Sequence, residues 1–596
     1  MEIYGADLKG IDGYLIHLTA TAEPRGMGMR LLGRAQRVVK EGSVRAAGAI
    51  GTLKGEWSDV LQNQGYTIQF KPAETPKTSS GLDLPIALML LQASILEDLE
   101  TIEKRIAALR EQYEAPAGKG SKAKGKSALL AAIKQAVEKR KQRLKYRRRF
   151  RRKTRYLLIG ELNMASGNLT MPEHGMFGMM DAAKRGFVVI IPEEAEVHGA
   201  LVAQGRKDIT IVKASDLQEA WDVVLGVAEP RPVAYRPEQV RQKRVSKYTP
   251  DLRDIRGVAR AKRAMTVALA GGHNILLVGP TGEGKTMLAL AALSLLPKPT
   301  LEEVYEINKV YSARGELEAD EIILERPFQE EGDKVTEAGL FGGNTPPVPG
   351  IISLAHRGIL VLDEVNLFKG NLIERLRRTL VNRVVRIHHS QRTIEYPCSI
   401  VLVATMNPCK CGWHLHYECP VCGSISVTNQ KQCPRHPDRQ LRHMCKCKGR
   451  GVTAYRDKLS RPLLERIDLR VLVSPHDVQE SEPYRYASTT VRKRIESARE
   501  VQARRYGSVD FVSTNAELRD RSQFAKCAHG MPPSLQRRLP AYFKGLGLSS
   551  RMKDRVRFVA RTIADLDGRS EMRASDVREA VELMGLDHPY FRHFGR

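Results

Sequence analysis

The sequence predicts a multidomain α/β protein whose central domain is a parallel sheet covered by helices. The chain is 596 residues long, more than a single hydrophobic core organises. From about residue 250 to 475, short apolar strands alternate with helices: NILLVG, TMLALAALSLL, GILVLDE, LIERLRRTLV, SIVLVATMN and IDLRVLV. That alternation is the signature of a parallel sheet. At one strand–helix junction lies a glycine-rich segment suited to holding phosphate.

In chain order, residues 1–228 read as a first α/β domain. GYLIHLTATA and YTIQF have strand character, and GLDLPIALMLLQASIL is an apolar helix after the turn-like KTSSG. The texture changes at about residue 97. A charged amphipathic helix, a breaker-rich loop (EAPAGKGSKAKGKS) and a second, intensely basic helix form a helical hairpin inserted at about 97–155. RYLLIGELN and FVVIIPEE then resume the strand pattern. A Pro-rich basic segment, 229–250, reads as a linker. The parallel-sheet core follows at 251–475, and residues 476–596 lack strand texture and read as a helical lid.

The formal net charge is +28, which favours a polyanionic partner through counterion release, although charge kept for solubility gives the same sum. Its distribution is more telling. From Lys119 to Arg155 there are 17 Lys/Arg and a single acid, Glu138, and 12 of the basic residues lie between Lys139 and Arg155. A nucleic acid is the expected partner. Tyr146 and Phe150 within this run either stack on bases or pack the hairpin. No apolar stretch approaches the ~18 residues that span a bilayer, and the N-terminus MEIYGADLKG lacks a secretory pattern. No membrane partner and a cytoplasmic location are therefore expected.

Residues Gly279, Pro280, Thr281, Gly282, Glu283, Gly284, Lys285 and Thr286 satisfy G-x-x-x-x-G-K-[ST] between an apolar strand and a helix. Glycines there let backbone N–H groups close around the phosphates of ATP, and the helix N-terminus adds a favourable dipole. Lys285 is expected on the β- and γ-phosphates and Thr286 on Mg²⁺. Downstream, GILVLDE presents two carboxylates at a strand end. Asp363 suits the Mg²⁺ shell and Glu364 suits polarising the attacking water. SIVLVATMN places Asn407 at another strand tip, where its amide either orients that water or caps a turn.

Seven of the nine cysteines lie between Cys409 and Cys447, in short pairs that read as metal ligation. Cys419, Cys422, Cys433 and His436 have zinc-ligand spacing, and Cys409, Cys411, Cys445 and Cys447 bracket them. Eight ligands make two tetrahedral sites, an inner Cys₃His and an outer Cys₄, both closed and therefore structural.

EIYGADLKGIDGYLI, SSGLDLPIAL, LLIGELN, GLFGGN…PGIISLAHRGILVLDE, ATMNPCKCG, SRPLLERIDL and VRFVARTIADLDG together resemble the ComM/YifB family, the magnesium-chelatase-like AAA+ competence ATPases, over nearly the whole chain. The resemblance implies a Lon-protease-like N-terminal domain, an AAA+ core and a hexameric ATPase driving branch migration of DNA joints during recombination of incoming DNA. It implies that Arg466 is an arginine finger reaching a neighbouring subunit's ATP and that Arg551 is the second sensor arginine on the lid. Without it, either arginine reads equally as a surface ion-pair partner. The inner cysteine knuckle and the basic hairpin are additions to the family pattern. Peptidase chemistry is not expected, because Ser79 and Ser80 lack a lysine base: HGMFGMMDAAKRG offers none before Lys184. The alternatives to a DNA motor are a chelatase-type remodeller of a protein or metallocofactor and a regulatory adaptor. A chelatase motor has no evident use for the basic hairpin.

Overall fold

The structure, a computed structural model, describes residues 2–23, 28–54, 65–114, 123–150, 154–244, 249–344, 346–389, 392–422, 425–426, 432–433, 436–473, 486–507, 514–518, 524, 526–527 and 530–592. The chain divides into two compact units, Met1–Lys243 with Asn308–Ile322, and Arg244–Ile307 with Ile323–Arg596.

The first unit is built on an eight-stranded mixed sheet. Its strands are β1 (Glu2–Lys9), β2 (Asp12–Glu23), β3 (Met29–Leu32), β4 (Gly65–Lys71), β5 (Arg155–Leu158), β6 (Phe187–Pro192), β7 (Thr210–Ala214) and β8 (Arg231–Pro232). They lie in the order β8-β7-β6-β5-β1-β2-β4-β3. Helix α1 (Arg37–Ile50) and helix α2 (Asp83–Glu114) cover the sheet. Residues 229–250, read as linker, do more than connect. Arg231–Pro232 closes one sheet edge against β7, and Arg241–Gln242 pairs with Glu321–Ile322.

The apolar and the charged helices expected on either side of residue 97 form one helix, α2. Nothing between Leu96 and Glu97 breaks a helix, and Ile95, Leu99, Ile102 and Ile106 continue one buried stripe at 3- and 4-residue spacing. Helix α3 (Ala123–Phe150) packs back on α2, with Arg140 paired to Glu103 at 2.8 Å. Phe150 is buried with its ring 6.2 Å from Trp221, and Tyr146 packs on the same core. The two aromatic residues thus pack the hairpin. The exposed basic residues Lys134, Lys141, Lys145 and Arg148 recur every three to seven positions along one stripe, opposite the buried Arg143 and Phe150.

The second unit holds a five-stranded parallel sheet of β9 (Ile275–Val278), β10 (Phe328–Glu331), β11 (Ile359–Leu362), β12 (Val401–Met406) and β13 (Leu469–Leu472), ordered β10-β11-β12-β9-β13. β9, β11 and β12 are buried at every position, which explains their unbroken apolar runs. Helices α4 (Ala259–Gly271) and α5 (Lys285–Leu295) flank β9; α6 (Gly370–Asn382) follows β11. The C-terminal helices α7 (Ser488–Tyr506), α8 (Ser550–Leu566) and α9 (Ala574–Leu583) share one hydrophobic cluster with the sheet: Ile495, Val559 and Val581 are continuous with Ile275 and Val403. The helices of the segment read as a lid thus pack into the core of the sheet, beside a small cluster of their own formed by Leu518, Cys527 and Phe558. Among the described residues no helix is long and apolar enough to cross a membrane.

Candidate nucleotide site and cysteine cluster

The phosphate loop leaves the C-terminal end of β9, next to the centre of the sheet, and opens α5. Gly282 and Gly284 adopt φ of +88° and +76°, a region where a side chain is strained. The turn thus brings Lys285 back over the loop, and its Nζ donates to the Gly279 carbonyl (2.7 Å), the Pro280 carbonyl (2.6 Å) and Asn407 Oδ1 (3.2 Å). Burial lowers the Lys285 ammonium from its usual range, while Asp363, Glu364 and Glu283 oppose that shift. Thr286 is exposed on the first turn of α5.

The other expected groups converge on Lys285. Asn407 donates through Nδ2 to Glu364 Oε1 at 2.9 Å, so one amide touches both the lysine and the carboxylate. Asp363 accepts from the Thr405 hydroxyl, which also accepts from the Glu364 N–H at 3.1 Å. That second bond holds Glu364 in a left-handed conformation, φ +50°. Thr405 escaped the sequence reading, although a lone hydroxyl in the apolar run of β12 was its signal. Chemically the constellation supplies a phosphate cradle, a cation-binding carboxylate and a carboxylate aimed by an amide.

Arg466 and Arg551 are not part of that constellation. Leu469 pairs with Ile275 in parallel register, and Asn274 Nδ2 donates to the Arg466 carbonyl at 3.1 Å. Arg466 therefore sits at the N-terminal edge of the sheet, a four-residue strand (about 13 Å) away from the edge that bears its own loop. Arg470 donates to the Leu464 carbonyl at 3.0 Å and supports the same turn. Burial, followed by Arg551 and Arg555 of α8, lowers Arg466 to about 10, so three arginines gather at this edge. The Arg466 Nε and Nη1 atoms are buried without a hydrogen-bond partner among the described residues. This cluster faces a small cavity of about 50 Å³ lined by Asn274, Arg383 and Asp468 among others.

The cysteines form two groups. The ligand atoms of Cys409, Cys411, Cys445 and Cys447 lie within 4.8 Å of one another, and so do those of Cys419, Cys422 and His436. Sγ of Cys409 is 3.3 Å from that of Cys411 and 3.7 Å from that of Cys445; Cys411 and Cys445 are 3.5 Å apart. Four thiolates on one zinc stand about 3.8 Å apart, given Zn–S bonds near 2.3 Å. A disulfide would need about 2.05 Å, and these thiols are free. In the inner group Cys419 Sγ is 3.8 Å from His436 Nδ1. The Cys433 side chain lies outside the described residues. The outer group fits a tetrahedral S-ligated ion, and the inner group brings together three of the four ligands expected of it.

In the first unit, the Ser79 hydroxyl caps a 3₁₀ turn by accepting from the Gly81 N–H at 3.0 Å and points at the Met179 sulfur, 3.4 Å away. Lys184 is exposed. Met179 occupies the place that a lysine base would need.

Comparison with known proteins agrees with this architecture. The family model for the magnesium chelatase subunit ChlI matches residues 251–429 and 422–481, its C-terminal model matches 485–584, and a further ChlI model matches 20–111. The competence protein ComM of Haemophilus influenzae is 28% identical over 97% of this chain and 96% of its own length. YifB of Salmonella typhimurium is 28% identical over 94% of this chain and 92% of its own. The magnesium-chelatase 38 kDa subunit of Cereibacter sphaeroides is 28% identical over 26% of this chain and 51% of its own. With the phosphate loop, the paired carboxylates and the strand-tip asparagine in one site on a parallel sheet, the chain belongs to the ComM/YifB family of magnesium-chelatase-like AAA+ proteins.

Proposed function

We propose that this protein is an ATP-driven DNA-remodelling motor, a hexameric branch-migration helicase acting on recombination intermediates. The observation that carries the ATPase half is the meeting of Lys285, Asn407 and Glu364 at the phosphate loop. ATP would lie on residues 279–286, and Thr286 and Asp363 would hold Mg²⁺, which would offset phosphate charge. Glu364, aimed by Asn407, then takes up proton density from the attacking water while Lys285 offsets phosphate charge. Zinc, when held by the two cysteine groups, supplies local stability rather than chemistry.

The DNA half is supported by the exposed stripe Lys134, Lys141, Lys145 and Arg148, which presents a cation at nearly every turn over about 21 Å of helix. A shared ATP site is supported by Arg466, which is remote from its own loop. Full-length similarity to a competence protein points the same way. The chelatase-type remodeller is favoured by the ChlI models and by the partial similarity to magnesium-chelatase subunits, which leave the basic hairpin without a task. ATP turnover measured without DNA and with single-stranded, duplex and four-way-junction DNA tests the proposal. Stimulation is expected, greatest with the junction; turnover indifferent to all DNA would overturn it.

A further inference from the structure

Beyond Asn407 the chain turns directly into the outer cysteine group, and the corner is held from three sides. Pro408 gives its carbonyl to the buried Tyr590 hydroxyl at 3.0 Å, and Cys409 is fully buried. The Gly412 N–H closes the knuckle on the Cys409 carbonyl at 3.0 Å. Gly412 has φ +86°, and a Cβ built there would stand 3.7 Å from Pro280 Cα and 4.0 Å from the Thr281 nitrogen. The knuckle thus passes beside the phosphate loop, one side-chain atom's width from Pro280 and Thr281. Cys447 leads within two residues into the helix Gly449–Arg456.

We propose that the outer cysteine site governs the nucleotide site: an ion bound by Cys409, Cys411, Cys445 and Cys447 fixes both the Asn407–Pro408 corner and the knuckle beside Pro280–Thr281, with Tyr590 as a positioning residue. The inference rests on the reading of residues 279–286 as a nucleotide site. It makes metal ligation more than a prop for a peripheral loop. One strand tip carries the amide that aims Glu364, and two residues later a ligand to the ion. Losing the ion frees that amide. Because binding free energies are reciprocal, nucleotide on the loop must in turn tighten the metal.

The test is zinc affinity, measured on the full chain by competition with a zinc-selective chromophoric chelator, with and without MgADP. Cys419→Ser with Cys422→Ser removes the inner ion so that the outer site alone reports. MgADP is expected to raise zinc affinity by ~5-fold or more, and zinc to raise ADP affinity by the same factor. Should the double variant not fold, one of the two ions of the wild-type chain must show the effect. Tyr590→Phe should keep the zinc and lose ~10–100-fold in kcat, the usual scale for supports one step removed from a site. Zinc affinity indifferent to MgADP overturns the proposal, as does a chain that binds no zinc or Tyr590→Phe with unchanged kcat. A chain without ATP turnover under any condition would sink the motor reading, yet the zinc–ADP coupling would still be decided.

Discussion

At the scale of single residues, the proposed nucleotide site would divide its labour between groups that hold phosphate and a group that activates water. Lys285→Ala should abolish tight nucleotide binding, whereas Glu364→Gln should bind ATP and turn it over ~10²-fold more slowly or worse. Fluorescent-nucleotide titration beside steady-state turnover separates the two, and wild-type kcat in Glu364→Gln would remove Glu364 from its role. A second residue-scale prediction concerns pH. Ser399 N–H donates to His356 Nδ1, leaving Nε2–H to face Glu306 at 3.3 Å, and Arg357 Nε donates to the same carboxylate at 2.6 Å. Burial alone raises the Glu306 carboxyl, but these two donors prevail and bring it down to about 2. A carboxylate depressed on folding stabilises the protein above its unfolded value of ~4.3, and that contribution fades as pH falls towards 2. Glu306→Gln should therefore lower the urea midpoint at pH 7, and its deficit should shrink by pH 3. A deficit of equal size at both pH values would contradict the assignment.

At the scale of elements, what the sequence disclosed follows from locality. The phosphate loop was legible because its glycines, lysine and flanking strand are contiguous, and the nested cysteine pairs because ligand spacing is local. Thr405 and Tyr590 were not, since each acts through a partner distant in sequence: Thr405 through Asp363, Tyr590 through Pro408. The unbroken helix Asp83–Glu114 reads as two in the sequence because its composition changes while its buried stripe does not. The basic hairpin needs a milder test than removal, since deleting it would strip Phe150 and Arg143 from the core. Changing Lys134, Lys141, Lys145 and Arg148 to Gln should preserve the fold and weaken DNA binding across all sequences. The salt dependence of affinity should flatten by ~0.9 for each duplex phosphate that is no longer neutralised. An unchanged slope would assign the stripe to another partner. The cysteine elements carry their own expectation, about two zinc ions per chain given two four-coordinate sets, which elemental analysis of protein never exposed to chelator decides; a zinc-free chain would refute both sites.

At the scale of the whole molecule, the issue is whether one chain holds a complete ATPase. Its own loop brings Lys285, and a bound Mg²⁺ would add charge, yet transfer of the γ-phosphoryl group gains ~10³–10⁵ in rate from a further cation at the developing charge. The candidates are Arg466 and Arg551, and both lie at the sheet edge opposite the loop, beyond the length of β9 and β13. The buried Asp468 is bound by His273 at 3.0 Å and Arg555 at 3.4 Å, and Arg470 holds the Leu464 carbonyl, so the Arg466 turn is fixed to the strand ends and cannot swing around. On the proposed reading these arginines reach phosphate from a second copy placed head to tail rather than within one chain. Contacts of that kind propagate, and they close into a ring when the rotation per subunit permits. Arg466→Ala should then bind nucleotide with near wild-type affinity and lose hydrolysis by ~10³-fold or more. Lys285→Ala should be inactive for the complementary reason. Mixed under conditions where subunits exchange, the two inactive proteins should regain part of the wild-type rate, because some interfaces join an intact loop to an intact arginine. Sedimentation in the presence of nucleotide should show a closed oligomer, six subunits by family resemblance. A mixture that stays inactive while exchange is demonstrated, or full turnover by a monomer, would show that each chain completes its own site.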